Sequence, residues 1–235
     1  MTELNAIQSH LRSIADPAIA SISQVFFKTA PGQYGAGDIF IGIKAPTMRA
    51  LVKKFRGTAP ATISALLKSK FHEERAFALL LLIEHYQRGS EADKQCAYDL
   101  YLAHTAHINN WDLVDISAPH IVGEFLTNRS RQPLHLLASS DSLWERRIAI
   151  VATLRFIRRN EFTDTLLIAE RLLPDTHDLI HKAVGWMLRE IGKRDLATEE
   201  AFLQAHYRAM PRTMLRYAIE RFPETRRQNY LKGTI

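Results

Sequence analysis

One six-residue stretch, residues 110–115, combines residue types that can hold a positive charge. It reads Asn-Trp-Asp-Leu-Val-Asp. If the stretch is helical, Trp111 and Asp115 are four positions apart and lie on the same face of the helix. An aromatic ring beside a carboxylate attracts a cation, since the ring face carries partial negative charge. The chemistry that this spacing favours is therefore stabilisation of a positive charge.

The elements that must position these two residues are helices. Apolar residues recur at intervals of three and four along most of the chain, as at Ile7, Leu11 and Ile14. No alternating strand pattern of useful length is present, so an all-α fold is predicted. Besides a helical 110–115 segment, helices are predicted at residues 4–14, 19–28, 46–55, 59–68, 73–86, 91–104, 121–126, 134–138, 142–158, 162–173, 178–193, 198–207, 212–221 and 224–232.

A repeat of roughly 35 residues relates these helices. Arg75, Arg147, Lys182 and Arg216 each stand just before or at the start of an apolar helix core, and the last two steps are 35 and 34 residues. Arg75 and Arg147 are separated by two steps of 36 residues, and Trp111 stands at the position midway between them. A period of this length, built from two helices, is typical of an α-α superhelix, or solenoid, of HEAT-like repeats.

The repeat register predicts that aromatic, acidic and basic side chains share one surface. Asp115 and Trp186 each lie four residues beyond a repeat position, on the same helical face. We therefore predict a single domain, residues 1–235, in which Trp111, Asp115, Arg147 and Trp186 converge on a concave groove. The alternative is that the tryptophans fill the core.

The charge of the chain favours a polyanionic partner, nucleic acid first. The formal net charge is +6 and the pI is near 9.5. Residues 146–159 hold five arginines and no acid. Solvated helix faces in a basic protein would give the same composition. The basic residues expected to contact DNA phosphates are Arg146, Arg155, Arg158, Lys182, Arg189 and Arg216.

No feature of the sequence predicts a membrane, a cofactor or a metal. The longest apolar run, residues 76–83, is too short to span a bilayer, and the N-terminus does not resemble a signal peptide. The single cysteine, Cys96, cannot form an internal disulfide and is interpreted as a core residue. His177 and His181 have a spacing that can bind a metal, but few other potential metal ligands lie near them in the sequence. We expect a cytoplasmic monomer.

Three stretches resemble the AlkD-like DNA alkylation repair enzymes, bacterial DNA glycosylases built from HEAT-like repeats. They are residues 111–115 (WDLVD), 143–150 (LWERRIAI) and 182–190 (KAVGWMLRE). Their order and spacing together make the resemblance specific, and it covers most of the chain. The resemblance implies a monofunctional hydrolase that excises positively charged N3- or N7-alkylated purines from duplex DNA, with the lesion left in the duplex.

The resemblance also implies roles for particular residues. Asp115 matches the catalytic carboxylate, Trp111 and Trp186 its aromatic partners, and Arg147 its cationic partner, with Arg146 ranked second. The glycine-rich loop at residues 31–38, otherwise interpreted as a connection, resembles a loop found in only part of this family. A non-catalytic helical scaffold that binds DNA or protein is the alternative, because fold alone does not determine function.

Overall fold

Helices form nearly all the regular structure of residues 2–235, which are the residues that the computed structural model describes. The all-α prediction is confirmed: within these residues there is no β-strand, only an isolated bridge between Ile39 and Phe71. None of the described helices is long and apolar enough to cross a membrane. The chain divides into two units, the first ending at Ser117 and the second beginning at Ala118.

The first unit is arranged around one long apolar helix, α5, which packs against α3, α4, α6 and α7. The helices of this unit are α1 (Glu3–Ser13), α2 (Pro17–Phe26), α3 (Ala45–Leu51), α4 (Pro60–Leu67), α5 (His72–Arg88), α6 (Glu91–Ala103) and α7 (Trp111–Ser117). Local sequence explains several of their starts. The Asp16 side chain accepts hydrogen bonds from the first amides of α2, and Ser90 with Asp93 forms a capping box at α6.

The second unit is arranged around α12, which packs against α9, α10, α11, α13 and α14. Its helices are α8 (Gln132–Leu137), α9 (Leu143–Ala152), α10 (Leu154–Ile157), α11 (Thr163–Arg171), α12 (Asp178–Gly192), α13 (Leu196–His206), α14 (Arg212–Ala218) and α15 (Glu224–Lys232). A π-helical turn, Pro119–Gly123, precedes them. The amide of Gly123 donates to the carbonyl of Ala118, five residues back.

The repeat register holds within each unit. In the first unit α5 packs on α7, and these helices carry Arg75 and Trp111. In the second unit α9 packs on α12 and α12 on α14, and these helices carry Arg147, Lys182 and Arg216. Packing between equivalent helices of successive repeats is that of HEAT-like repeats, so the predicted fold class is confirmed. The single domain with one groove stays a prediction.

Two of the differences from the sequence predictions have a clear physical reason. The single helix predicted at residues 142–158 is two helices, α9 and α10, separated at Thr153, whose buried hydroxyl donates to the Ile150 carbonyl at 2.6 Å. Such bonding back to a helix carbonyl favours a bend. The prediction of a core Cys96 is wrong, because the buried face of α6 is formed by Ala97, Tyr98 and Tyr101 and leaves the thiol exposed.

Candidate active site

The helix α7 begins at Trp111 because Asn110 caps it. The buried Asn110 side chain accepts a hydrogen bond from the Trp111 amide at 2.8 Å, and its carbonyl accepts from the Val114 amide. Leu113 and Val114 point into the core. Trp111 and Asp115, one turn apart, are each half-buried. The helix therefore presents an indole and a carboxylate together, with neither sealed in the apolar interior.

The end of α7 is fixed to α6 by a buried hydroxyl pair. The Tyr101 hydroxyl lies 3.0 Å from the Ser117 hydroxyl, which donates in turn to the Leu113 carbonyl. Burial raises the pKa of Tyr101, the Ser117 hydrogen bond lowers it, and the negative charge of Asp115 raises it further. The phenol therefore stays protonated, and Asp115 lies close enough to act on it.

Four rings form an aromatic column that ends at Trp111. The ring of His72 stacks on Phe40 with 4.3 Å between centroids, and Phe40 stacks on Phe27 at 4.8 Å. Phe27 stacks on Trp111 at 5.3 Å, and Phe26 meets Trp111 edge-on at 6.0 Å. Offset and edge-to-face contacts of this kind favour a defined ring orientation. The indole of Trp111 is therefore held by the N-terminal part of the first unit.

His72 also belongs to an ionic network, in which the buried residues Asp38, His72 and Arg75 are joined by the partly buried Asp112. The Nδ1 atom of His72 is 3.0 Å from Asp38 Oδ2, and its Nε2 atom is 2.8 Å from Asp112 Oδ2. Asp38 also pairs with Arg75 and accepts a hydrogen bond from Asn110 at 3.2 Å. Burial opposes the charge on Asp38, but His72 and Arg75 outweigh it and lower the pKa of that carboxyl.

Sequence reasoning missed this network, although one signal for it was present. Residues 72–75 read His-Glu-Glu-Arg at the start of a strongly apolar helix, and all four are buried. Glu73 accepts hydrogen bonds from the amides of Ile41, Gly42 and Ile43. Four successive polar residues inside a core must each have a partner. Apart from Ser69, which bonds to Glu74 and Arg75, the partners lie tens of residues away in the chain, so spacing alone does not identify them.

The other two predicted catalytic residues belong to the second unit. Arg147, on α9, is only 5% exposed and donates from Nη1 to the Leu179 carbonyl at 2.5 Å. Trp186, on α12, is half-buried and donates from its indole nitrogen to Glu190 at 3.2 Å. Gly185 permits close contact of α12 with α14, because a Cβ there would clash with the carbonyl of residue 214. Arg147 and Trp186 thus lie on two helices that pack together.

The six predicted DNA-binding residues fall into two groups. Four are in ion pairs within the second unit, and two are exposed to solvent. The ion pairs are Arg146 with Asp175, Arg155 with Glu124, Lys182 with Asp178, and Arg189 with Glu220. Arg146 also donates to two backbone carbonyls, at Ser140 and Asp141. Arg158 and Arg216 are the two exposed residues.

The histidines with metal-like spacing have other partners. The Nδ1 atom of His177 accepts from the Leu179 amide at the start of α12, and His181 Nε2 lies 2.5 Å from the Asp175 carbonyl. Across residues 2–235, no group of three or more His, Cys, Asp or Glu side chains is arranged to hold a metal ion. The pair therefore serves helix capping and local packing.

The fold and the site define a helical-repeat protein whose equivalent helices carry basic, aromatic and acidic side chains. The family model for DNA alkylation repair enzymes matches residues 7–222. The chain therefore belongs to the DNA alkylation repair enzyme family, and this membership supports a role in DNA repair. Among curated proteins, none matches the sequence.

Several solved structures match this chain, and two of them illustrate the shared fold. One is described as a predicted DNA alkylation repair enzyme from Enterococcus faecalis; it has a TM-score of 0.70 and 19% identity, with 89% of this chain and 97% of that chain covered. The other is AlkD2 from Streptococcus mutans, with a TM-score of 0.55, 15% identity, and coverage of 87% and 97%. At these identities the likeness establishes the fold alone.

Proposed function

We propose that this protein is a monofunctional DNA glycosylase that hydrolyses the N-glycosidic bond of positively charged N3- or N7-alkylated purines in duplex DNA. The main support is the exposed part of α7, where a ring-stacked Trp111 lies one turn from the half-buried carboxylate of Asp115. Membership of the DNA alkylation repair enzyme family gives the substrate class its context.

The chemistry of a cationic purine suits a site without a strong acid. Alkylation leaves the purine positively charged, so the electrons of the C1′–N9 bond neutralise the base as it departs. Positive charge then develops near C1′ of the sugar. Asp115 stabilises that charge, orients the attacking water and accepts its proton. Selectivity then follows the charge of the lesion more than its shape, and the base need not leave the duplex.

The remaining predicted catalytic residues are assigned supporting roles. Trp111 and Trp186 hold the sugar cation through their ring faces, at about 0.5 to 2 kcal/mol each. Arg147 acts through the positive charge of its guanidinium group. Its burial and its bond to the Leu179 carbonyl make it a fixed charge. We propose that these three residues and Asp115 act on the same lesion.

Replacement of the carboxylate tests this function. Asp115→Asn is expected to reduce single-turnover release of N7-methylguanine from duplex DNA by about 100-fold or more, with DNA affinity largely retained. Asp99→Asn, at an exposed position on α6, is the matched control and should excise at the wild-type rate. Normal excision by Asp115→Asn would reject the mechanism. A wild-type protein that binds DNA but releases no base would instead favour the non-catalytic scaffold.

A further inference from the structure

His72 is not one of the predicted site residues, but it contacts Asp112, the residue that follows Trp111. It is the first residue of α5, it is 2% exposed, and each of its ring nitrogens lies within hydrogen-bond distance of a different carboxylate. A neutral imidazole has one N–H and one lone pair, and ionised carboxylates only accept. Two such contacts at 3.0 and 2.8 Å therefore fit the imidazolium ring, which donates from both nitrogens.

The charges that surround the ring balance only when it is protonated. Asp38 approaches from the loop before α3, Asp112 from the first turn of α7, and Arg75 from one turn further along α5. Glu73, the next residue of α5, is bound to backbone amides. With His72 charged, the two aspartates face two cations. Burial opposes this charge, but Asp112 and then Asp38 raise the pKa of His72 to about 9.

Three contacts connect His72 to the start of α7. Asp112, which accepts from the ring, follows Trp111 directly in the chain. Asn110, which caps the Trp111 amide, donates to the same Asp38 oxygen that faces His72. The aromatic column joins the imidazole ring to the indole through Phe40 and Phe27. Loss of the ring proton would remove the hydrogen bond to one of the two aspartates and leave an excess of negative charge around the ring.

We propose that His72, as an imidazolium bridging Asp38 and Asp112, is a positioning residue that fixes the first turn of α7 and with it the orientation of Trp111 and Asp115. The kinetic consequence rests on the glycosylase function proposed above. The structural consequence does not, because it concerns the indole of Trp111 in the protein without DNA. The two can therefore fail separately.

The structural consequence is tested by NMR of protein labelled with ¹⁵N at tryptophan. The chain has three tryptophans, and Trp111→Phe assigns the relevant indole resonance. We expect that resonance to shift with a midpoint near pH 9 in the wild type. The transition should be absent in His72→Gln and should move to lower pH in Asp112→Asn, since that variant removes one charge from the bridge. A Trp111 resonance that stays constant from about pH 7 to pH 10 in the wild type would overturn the proposal.

The kinetic consequence is tested at pH 7 by single-turnover excision of N7-methylguanine. His72→Gln should lower the rate by about tenfold or more while the Kd for duplex DNA stays within about twofold, because misplacement affects the chemical step. His120→Gln, at an exposed position of the second unit, is the matched control. Wild-type excision by a folded His72→Gln would overturn the positioning role. Absence of excision in the wild type would overturn the glycosylase function, and the NMR titration would still decide the role of His72.

Discussion

At neutral pH the ring of His72 is charged although almost none of its side chain reaches solvent. Its pKa in the fold is about 9, against 6.5 for an ordinary histidine in the unfolded chain. A histidine whose folded pKa is raised stabilises the protein fully below pH 6.5, and this contribution is lost as pH rises through 9. We expect the free energy of unfolding to fall by on the order of 3 kcal/mol across that window, and to fall less in His72→Gln.

Urea denaturation at both ends of the window measures this change. Glu199 also contributes to the pH dependence of stability, because burial, together with the nearby charge of Glu200, raises its pKa to about 8. A carboxyl group whose pKa is raised in the folded state also makes the protein less stable as pH rises, here between about 4.5 and 8. Since Glu199 is present in both proteins, the difference between the wild type and His72→Gln isolates the histidine. Equal losses in the two proteins would contradict the prediction.

The predicted site residues Trp111 and Asp115 differ from His72 in how well the sequence alone predicts their contacts. Trp111 and Asp115 share a helix turn, so their spacing alone predicts that they lie together. His72 contacts Asp38, 34 residues earlier, and Asp112, 40 residues later. Neither separation corresponds to a helical period, and both depend on how α7 and the glycine-rich loop pack on α5. The loop at residues 31–38, interpreted as a connection, thus supplies a charged partner through its last residue.

At the scale of elements, local signals determined most helix boundaries. A proline or a capping side chain at the start of a helix acts within a few residues, as at Asp16, Pro17 and Ser90. The break between α9 and α10 has no such signal. It depends on the buried Thr153 hydroxyl bonding to a carbonyl of its own helix, which the surrounding packing selects.

The contact between α12 and α14 depends on Gly185, which is adjacent to Trp186. A Cβ at this position would clash with the Met214 carbonyl and with the Cβ atom of Tyr217. We expect Gly185→Ala to destabilise the protein by about 1 to 3 kcal/mol, as overpacking does. The separation of the helices should also displace Trp186, and base excision should fall more than the folded fraction does. Thermal unfolding and single-turnover kinetics at a temperature well below the Tm separate these effects.

The matched control is a small substitution at an exposed position of a helix. Ala201 is exposed on α13, and Ala201→Ser should shift neither the Tm nor the rate appreciably. If Gly185→Ala had the wild-type Tm, the close approach of the two helices would not contribute to stability. A lowered Tm with an unchanged rate would show that Trp186 does not depend on this contact.

At the scale of the whole molecule, the repeat register predicted which helices are neighbours. Stacking joins successive repeats, so a period in the sequence becomes a contact in space. The division after Ser117 was not predictable in this way. The step from Trp111 to Arg147, which crosses that point, is the same 36 residues as the step from Arg75 to Trp111. The division arises instead from the density of packing on either side, which the period does not encode.

The net charge of +6 is a property of the whole chain, but its basic residues are not equivalent in binding DNA. Arg158 and Arg216 are exposed, whereas Arg189, on α12, forms an ion pair with Glu220. Each phosphate contact that is lost lowers the slope of log affinity against log salt by about 0.9. Replacing both Arg158 and Arg216 with alanine should therefore reduce the slope by about 2 without changing excision from saturated complexes. Arg189→Ala should lower the Tm instead. Fluorescence anisotropy across a salt series measures the slope, and an unchanged slope in the double variant would place the DNA on other residues.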